Sequence, residues 1–131
     1  MGAVRVLTVD DHATFRQAAT ALIAATDGFE AVGVARTGQE AVIAAERLAP
    51  DLILMDVGLP DIDGYEAARR IARLRPAAMI LLVSVGEEAL GDPTARCGAA
   101  AFVRKEDLRP ALLLDLWAKH RLAAAGERPP A

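Results

Sequence analysis

Two unbroken apolar runs constrain this chain more than any other feature: "LILM" at 52–55, closed by Asp56, and "MILLVS" at 79–84. Neither alternates with polar residues, so neither fits a strand with one face in water. Both fit central strands of a parallel sheet covered on its two faces. Parallel neighbours need a crossover of a dozen or more residues. The intervening "GYEAARRIARL" (64–74) supplies it, opened by Asp63 and Glu66 at capping spacing and ended by Pro76.

The same alternation extends along the chain. "VRVLTV" (4–9) reads as a strand ending at Asp10 and Asp11, and the helical "ATFRQAATALIAAT" (13–26) sets Phe15, Ala19, Leu22 and Ile23 on one face. "FEAVGVA" (29–35) alternates like a partly buried strand, and Thr37 with Glu40 opens a helix in "TGQEAVIAAERLA". After Ser84 the pattern weakens. Gly91, Pro93 and Gly98 predict a short or broken helix before a last strand, "AAFVRK" (100–105). Asp107 is placed to cap a final helix that carries Leu112, Leu113, Leu116 and Trp117, with Pro110 in its first turn. Five strands alternating with five helices define an α/β, doubly wound (βα)5 sheet of the flavodoxin-like type. Its five parallel strands are expected in the order 2-1-3-4-5, over residues 1–124, with 125–131 as a disordered tail.

Composition narrows the function. The 131 residues form one domain, and a net charge of −3 opposes bulk nucleic-acid binding, which needs a basic footprint. No run approaches a membrane span, and the N-terminus lacks the basic flank and apolar core of a secretory signal, so the chain is expected in the cytoplasm. The single cysteine, Cys97, cannot form an internal disulfide.

In an open α/β sheet the ligand site lies beyond the carboxyl ends of the strands. Those ends carry Asp10 and Asp11, then Asp56, Ser84 and Lys105. Three carboxylates brought together raise one another's pKa unless a cation joins them, and a hard divalent ion held by oxygen ligands, Mg²⁺ above all, meets that need. Lys105 adds a mobile positive charge for an arriving anion. Asp63 is read as a helix cap and Asp61 as solvated. His12 and His120 have no second nitrogen or sulfur partner at metal spacing, and are given to structure or solvent.

The pieces "VDDH", "LILMDVGLPDIDG", "LLVS" and "AAFVRK", in this order, resemble the receiver domain of bacterial two-component response regulators. "DDHATFRQ" is most similar to receivers that precede LuxR-type helix-turn-helix domains. The resemblance implies that Asp56 is the phosphoacceptor. It implies that Asp10, Asp11, Asp56 and the backbone carbonyl of Gly58 hold Mg²⁺. Ser84 would be the switch hydroxyl, Lys105 the phosphate contact and Phe102 the switch aromatic. The phosphoryl donor would be a histidine kinase or phosphotransfer protein, and the domain would catalyse at most its own phosphotransfer and autodephosphorylation.

Three departures from that pattern stand out: Val85 after the switch hydroxyl, Glu106 after the lysine, and an irregular segment between Ser84 and Lys105. They motivate the alternative of a receiver-like interaction domain that signals without phosphorylation. A phosphatase of the haloacid dehalogenase type fits less well, because Asp10 and Asp11 are adjacent and no cap insertion is present. The expected output is a partner protein or a helix-turn-helix domain beyond this chain, which by itself binds no DNA. Trp117 and its neighbouring leucines are read first as core packing, with apolar surface for a partner or for a homodimer through the last strand and helices as the alternative.

Overall fold

The structure, a computed structural model, describes residues 2–85 and 97–126. Strands β1 (Val4–Val9), β2 (Phe29–Ala35), β3 (Leu52–Asp56), β4 (Met79–Ser84) and β5 (Ala101–Arg104) form one sheet. The order is β2-β1-β3-β4-β5, parallel throughout, as the sequence predicts. The described α-helices are α1 (Ala13–Ala24), α2 (Gly38–Leu48), α3 (Gly64–Leu74) and α4 (Pro110–Gly126). The broken helix expected around Gly91 and Pro93 lies outside the described residues, as do 127–131 of the expected tail. Helix α4 runs two residues past the expected domain end at 124.

Every residue of β3 and β4 is buried, and their side chains alternate between two cores. Ile53, Met55, Ile80 and Leu82 pack with Ala41 and Ala45 of α2 and Ala67, Ala68 and Ile71 of α3. Leu52, Leu54, Met79 and Leu81 pack on the other face with Ala19 and Ile23 of α1 and Leu113 of α4. Trp117 sets its ring edge-on to Phe29, with centroids 6.4 Å apart, so α4 contributes its aromatic to this core. Leu114 and Leu122 remain exposed on that helix. With both faces covered, β3 and β4 carry their polar residues, Asp56 and Ser84, only at their ends.

The sequence caps form as read: Glu40 N donates to Thr37 Oγ1 at 3.1 Å, and Glu66 N to Asp63 Oδ1 at 2.8 Å. Two readings need correction. Asp107 does not cap the final helix. It lies in a 3₁₀ turn (Lys105–Asp107), with its carboxylate 3.3 Å from Arg104 Nε. Helix α4 starts at Pro110, whose ring suits a first helical position and whose missing N–H leaves no orphan donor there.

Asp61 is not merely solvated. Its two carboxylate oxygens accept the N–H groups of Gly38, at 2.8 Å, and Gln39, at 2.9 Å. It thus caps the N-terminus of α2 from the loop after β3. Slight desolvation raises its pKa, but the N–H donors of Gln39, Gly38 and Ile62 outweigh this and hold it below the usual carboxylate value. A depressed folded-state pKa contributes stability that is present above the unfolded value and lost as pH falls through the folded one. Asp61→Ala should therefore lower the melting midpoint at neutral pH and flatten its decline on the acid side. Thermal scans of both proteins from pH 7 down to pH 3 would show two parallel curves if this reading were wrong.

Candidate functional site

Parallel register brings the strand ends together. Val9 pairs with Met55 and Asp56 with Val83, so the residues that leave β1 and β3 emerge side by side. Asp10 is fully buried, anchored by its own N–H to Ala35 O at 3.0 Å, and Asp56 is 5% exposed. Ser84, which ends β4, is buried as well. Lys105 follows β5 directly and reaches back across the sheet, its Nζ 2.5 Å from Asp10 Oδ2 and 3.7 Å from Asp56 Oδ1. The ring of Phe15 on α1 lies beneath the same ammonium, 4.4 Å to its centroid, a cation–π contact.

Asp56, Gly58, Ser84 and Lys105 line one cleft of about 580 Å³ beside His12, Thr14, Phe15 and Val85. Asp11, half-exposed, stands at the acidic cluster formed with Asp10, His12 and Asp56. Val85 is 75% exposed at the rim. Phe102 is not in this cleft: half-buried against the α2–α3 core, it lines a groove with Arg104, Leu112 and Leu116 of β5 and α4.

Electrostatics at Asp56 are opposed. Burial raises its pKa first and the charge of Asp10 adds to this, while Lys105 and the N–H of Gly58 pull it down and Asp11 pushes it up again. The net direction is upward, so ionised Asp56 is held at a cost in the metal-free protein. Asp10 Oδ2 is buried, and among the described residues its compensation is the Lys105 ammonium. Such a donor set, oxygen-rich and short of positive charge, fits a hard divalent cation.

Two glycines flank Asp56 with different consequences. At Gly58 a Cβ would lie 4.0 Å from Asp56 Oδ2, ordinary contact, so close approach does not require a glycine there. At Gly64 a Cβ would meet the backbone, 2.2 Å from Asp56 O and 2.7 Å from Val57 Cα. Gly64 N also donates to Val57 O at 3.0 Å, so α3 starts directly against the main chain that carries Asp56.

Sequence reasoning missed the involvement of His12 and Phe15. The N–H of His12 donates to Asp10 Oδ1 at 2.8 Å, and its Nδ1 lies 3.0 Å from Asp10 Oδ1 and 3.1 Å from Asp11 Oδ1. A search for paired nitrogens or sulfurs passes over a single imidazole beside carboxylates. Phe15 carried a core signal and serves a second purpose under Lys105.

The sheet thus gathers carboxylates from two adjacent strand ends and a lysine from a third at one edge. The chain belongs to the response regulator receiver domain family, whose family model matches residues 6–116. Phosphorylation on an aspartate is typical of this family. The chain is 39% identical over 129 residues to the response regulator GacA of Pseudomonas viridiflava, covering 95% of this chain and 57% of that protein. It is 31% identical over 104 residues to the transcriptional regulatory protein DegU of Brevibacillus brevis, covering 79% of this chain and 44% of that protein. The chain thus spans about half the length of these relatives. Among solved structures, the response regulator domain of Thermotoga maritima CheB superposes with a TM-score of 0.80 at 30% identity, covering 91% of this chain and 97% of that one. A LuxR-family two-component response regulator from Aurantimonas gives 0.78 at 30% identity, covering 97% and 89%. No helix among the described residues is long and apolar enough to cross a membrane.

Proposed function

We propose that this chain is a phospho-accepting receiver whose nucleophile is Asp56. The observation that supports it best is the placement of a nearly buried carboxylate at the end of β3, 3.7 Å from the Lys105 ammonium and beside the Asp10 carboxylate. A carboxylate oxygen of Asp56 attacks the phosphorus of a phosphohistidine. The P–N bond breaks, and the imidazole leaves with the electron pair and takes up a proton. Lys105 and the hydroxyl of Ser84 line the space the phosphoryl oxygens enter, and Lys105 offsets the charge they gain. Asp10, Asp11, Asp56 and the carbonyl of Gly58 would hold Mg²⁺, which when bound supplies further neutralisation of that charge. Strand-end rigidity holds Asp56 in line with the donor.

The donor class is a histidine kinase or phosphotransfer protein, in the cytoplasm. Phosphorylation shifts Phe102 inward as the β5–α4 face repacks, so the output is a change of binding surface. That face then meets a partner protein, a helix-turn-helix output domain or a second copy of the receiver. The receiver, residues 1–124, turns over no substrate beyond its own phosphoryl group.

Intact mass after incubation with acetyl phosphate tests the assignment. Wild type should gain one phosphoryl group only when Mg²⁺ is present, and Asp56→Asn none. Labelling that persists in Asp56→Asn would remove Asp56 from the role. A folded wild type that never labels would favour signalling by contact alone.

A further inference from the structure

The outer face of α2 carries a pattern that the strand-end cleft does not use. Glu40, Ile43, Ala44 and Arg47 stand at i, i+3, i+4 and i+7, so they form one stripe along the helix. With Val34 of β2 and Leu48 they line a groove of about 430 Å³. Its apolar part is open to solvent: Ile43 is 56% exposed and Val34 50%. The helix buries Gly38, Ala41 and Ala45 on another side, so core packing does not account for Ile43. Glu40 and Arg47 are exposed at the two ends of the stripe. Among the described residues neither makes an ion pair. The stripe is its own complement. Turned end for end, α2 sets Glu40 against Arg47 and Ile43 against Ala44, so each acid meets a base and the large side chain meets the small one. Strands β2 and β5 are opposite edges of the sheet, so this groove is separate from the one that Phe102 lines.

We propose that this groove is the docking surface for a second copy of the chain, with the two α2 helices antiparallel. A two-fold axis passing between Ile43 and Ala44 repeats every contact, as an isologous interface requires. Two Glu40–Arg47 pairs then flank an apolar centre, where each Ile43 enters the other copy's groove beside Ala44 and Val34. An apolar centre with a charged rim is the usual anatomy of a protein interface. The charge pattern selects this occupant. A partner surface of one sign is repelled by one end of the stripe, and a wholly apolar one leaves both charges desolvated and unpaired. Antiparallel packing also sets the N-terminal end of each helix dipole beside the C-terminal end of the other. The inference stands apart from the phosphoacceptor assignment, since it uses only α2 and β2.

The competing account is that each charge only complements its own helix, Glu40 in the first turn and Arg47 in the last, and that Ile43 is an ordinary exposed apolar residue. Sedimentation equilibrium of the full chain, from micromolar to millimolar concentration, separates the two. Wild type should show a monomer–dimer equilibrium. Glu40→Arg and Arg47→Glu each place like charges at both ends of the interface, and each should weaken self-association by about tenfold or more. Mixed in equal amounts, the two variants should dimerise again, because one supplies two bases and the other two acids. The helix-dipole account gives no such rescue. Ile43→Ala removes the apolar centre without touching a buried residue, and should also weaken the dimer by about tenfold or more. Circular dichroism checks that each variant is folded, and if a charge variant is not, Ile43→Ala decides alone. A wild type that stays monomeric throughout, a dimer indifferent to Ile43→Ala, or folded charge variants that do not rescue each other would each overturn the proposal.

Discussion

Lys105→Met should destabilise the metal-free protein by about 3–5 kcal/mol at neutral pH, the usual cost of removing one partner from a buried ion pair. The size follows from Asp10. Its carboxylate is fully buried, and Lys105 Nζ stands 2.5 Å from an oxygen that accepts no other well-directed bond. Methionine keeps most of the apolar stem and its packing over Phe15, so the loss isolates the charge. The lysine is itself only 13% exposed, so solvent screening reduces the effect little. Urea unfolding in chelator gives the difference. Saturating Mg²⁺ should then shrink it, because an ion that binds only the folded protein supplies the missing charge. An equal deficit with and without Mg²⁺ would show that Lys105 contributes through packing and not as a counter-charge.

Gly64→Ala should be at least as disruptive, by about 3 kcal/mol or more, and should also impair labelling at Asp56. Alanine favours a helix over glycine by no more than about 1 kcal/mol, and that gain is outweighed. The new methyl would sit 2.2 Å from Asp56 O, 2.7 Å from Val57 Cα and 2.9 Å from Asp56 C, all backbone atoms of a buried strand end. No side-chain rotation relieves such contacts. Either α3 shifts outward or the peptide after Asp56 tilts, and the second moves the carboxylate proposed as the nucleophile. Mass labelling and urea unfolding on the same preparation separate the two. A variant of wild-type stability that labels at the wild-type rate would refute the packing argument. Gly58→Ala is the internal contrast, since among the described residues its methyl meets nothing closer than 4.0 Å and should leave stability close to wild type.

The strands were legible because each is short, apolar and ends on a chemically distinct residue. The β2-α2 and β3-α3 steps needed only period and caps, and Thr37 and Asp63 cap as their spacing implies. The gathering of Asp10, Asp11, Asp56 and Lys105 was legible for a topological reason: a parallel sheet brings every carboxyl-terminal strand end to one edge. Contacts between distant segments were not. Asp61 meets Gly38 across 23 positions, and nothing local distinguishes a carboxylate that caps a remote helix from one in water. Asp107 failed for the opposite reason. It has the composition of a cap, but the chain first makes a 3₁₀ turn, and Pro110 then sets where α4 can begin. His12 was passed over because its partners are oxygens.

The Asp61 clasp has a dynamic consequence. The loop that leaves Asp56 is held at one end by Gly64 N on Val57 O and in its middle by the two amides of α2. It cannot swing as an independent flap. Any excursion large enough to reposition the Gly58 carbonyl must either break two charge-assisted hydrogen bonds or carry the first turn of α2 with it. Loop and helix start are therefore coupled, and the amides of Gly38 and Gln39 are built-in reporters: their protection from exchange with solvent measures how often the surroundings of Asp56 open.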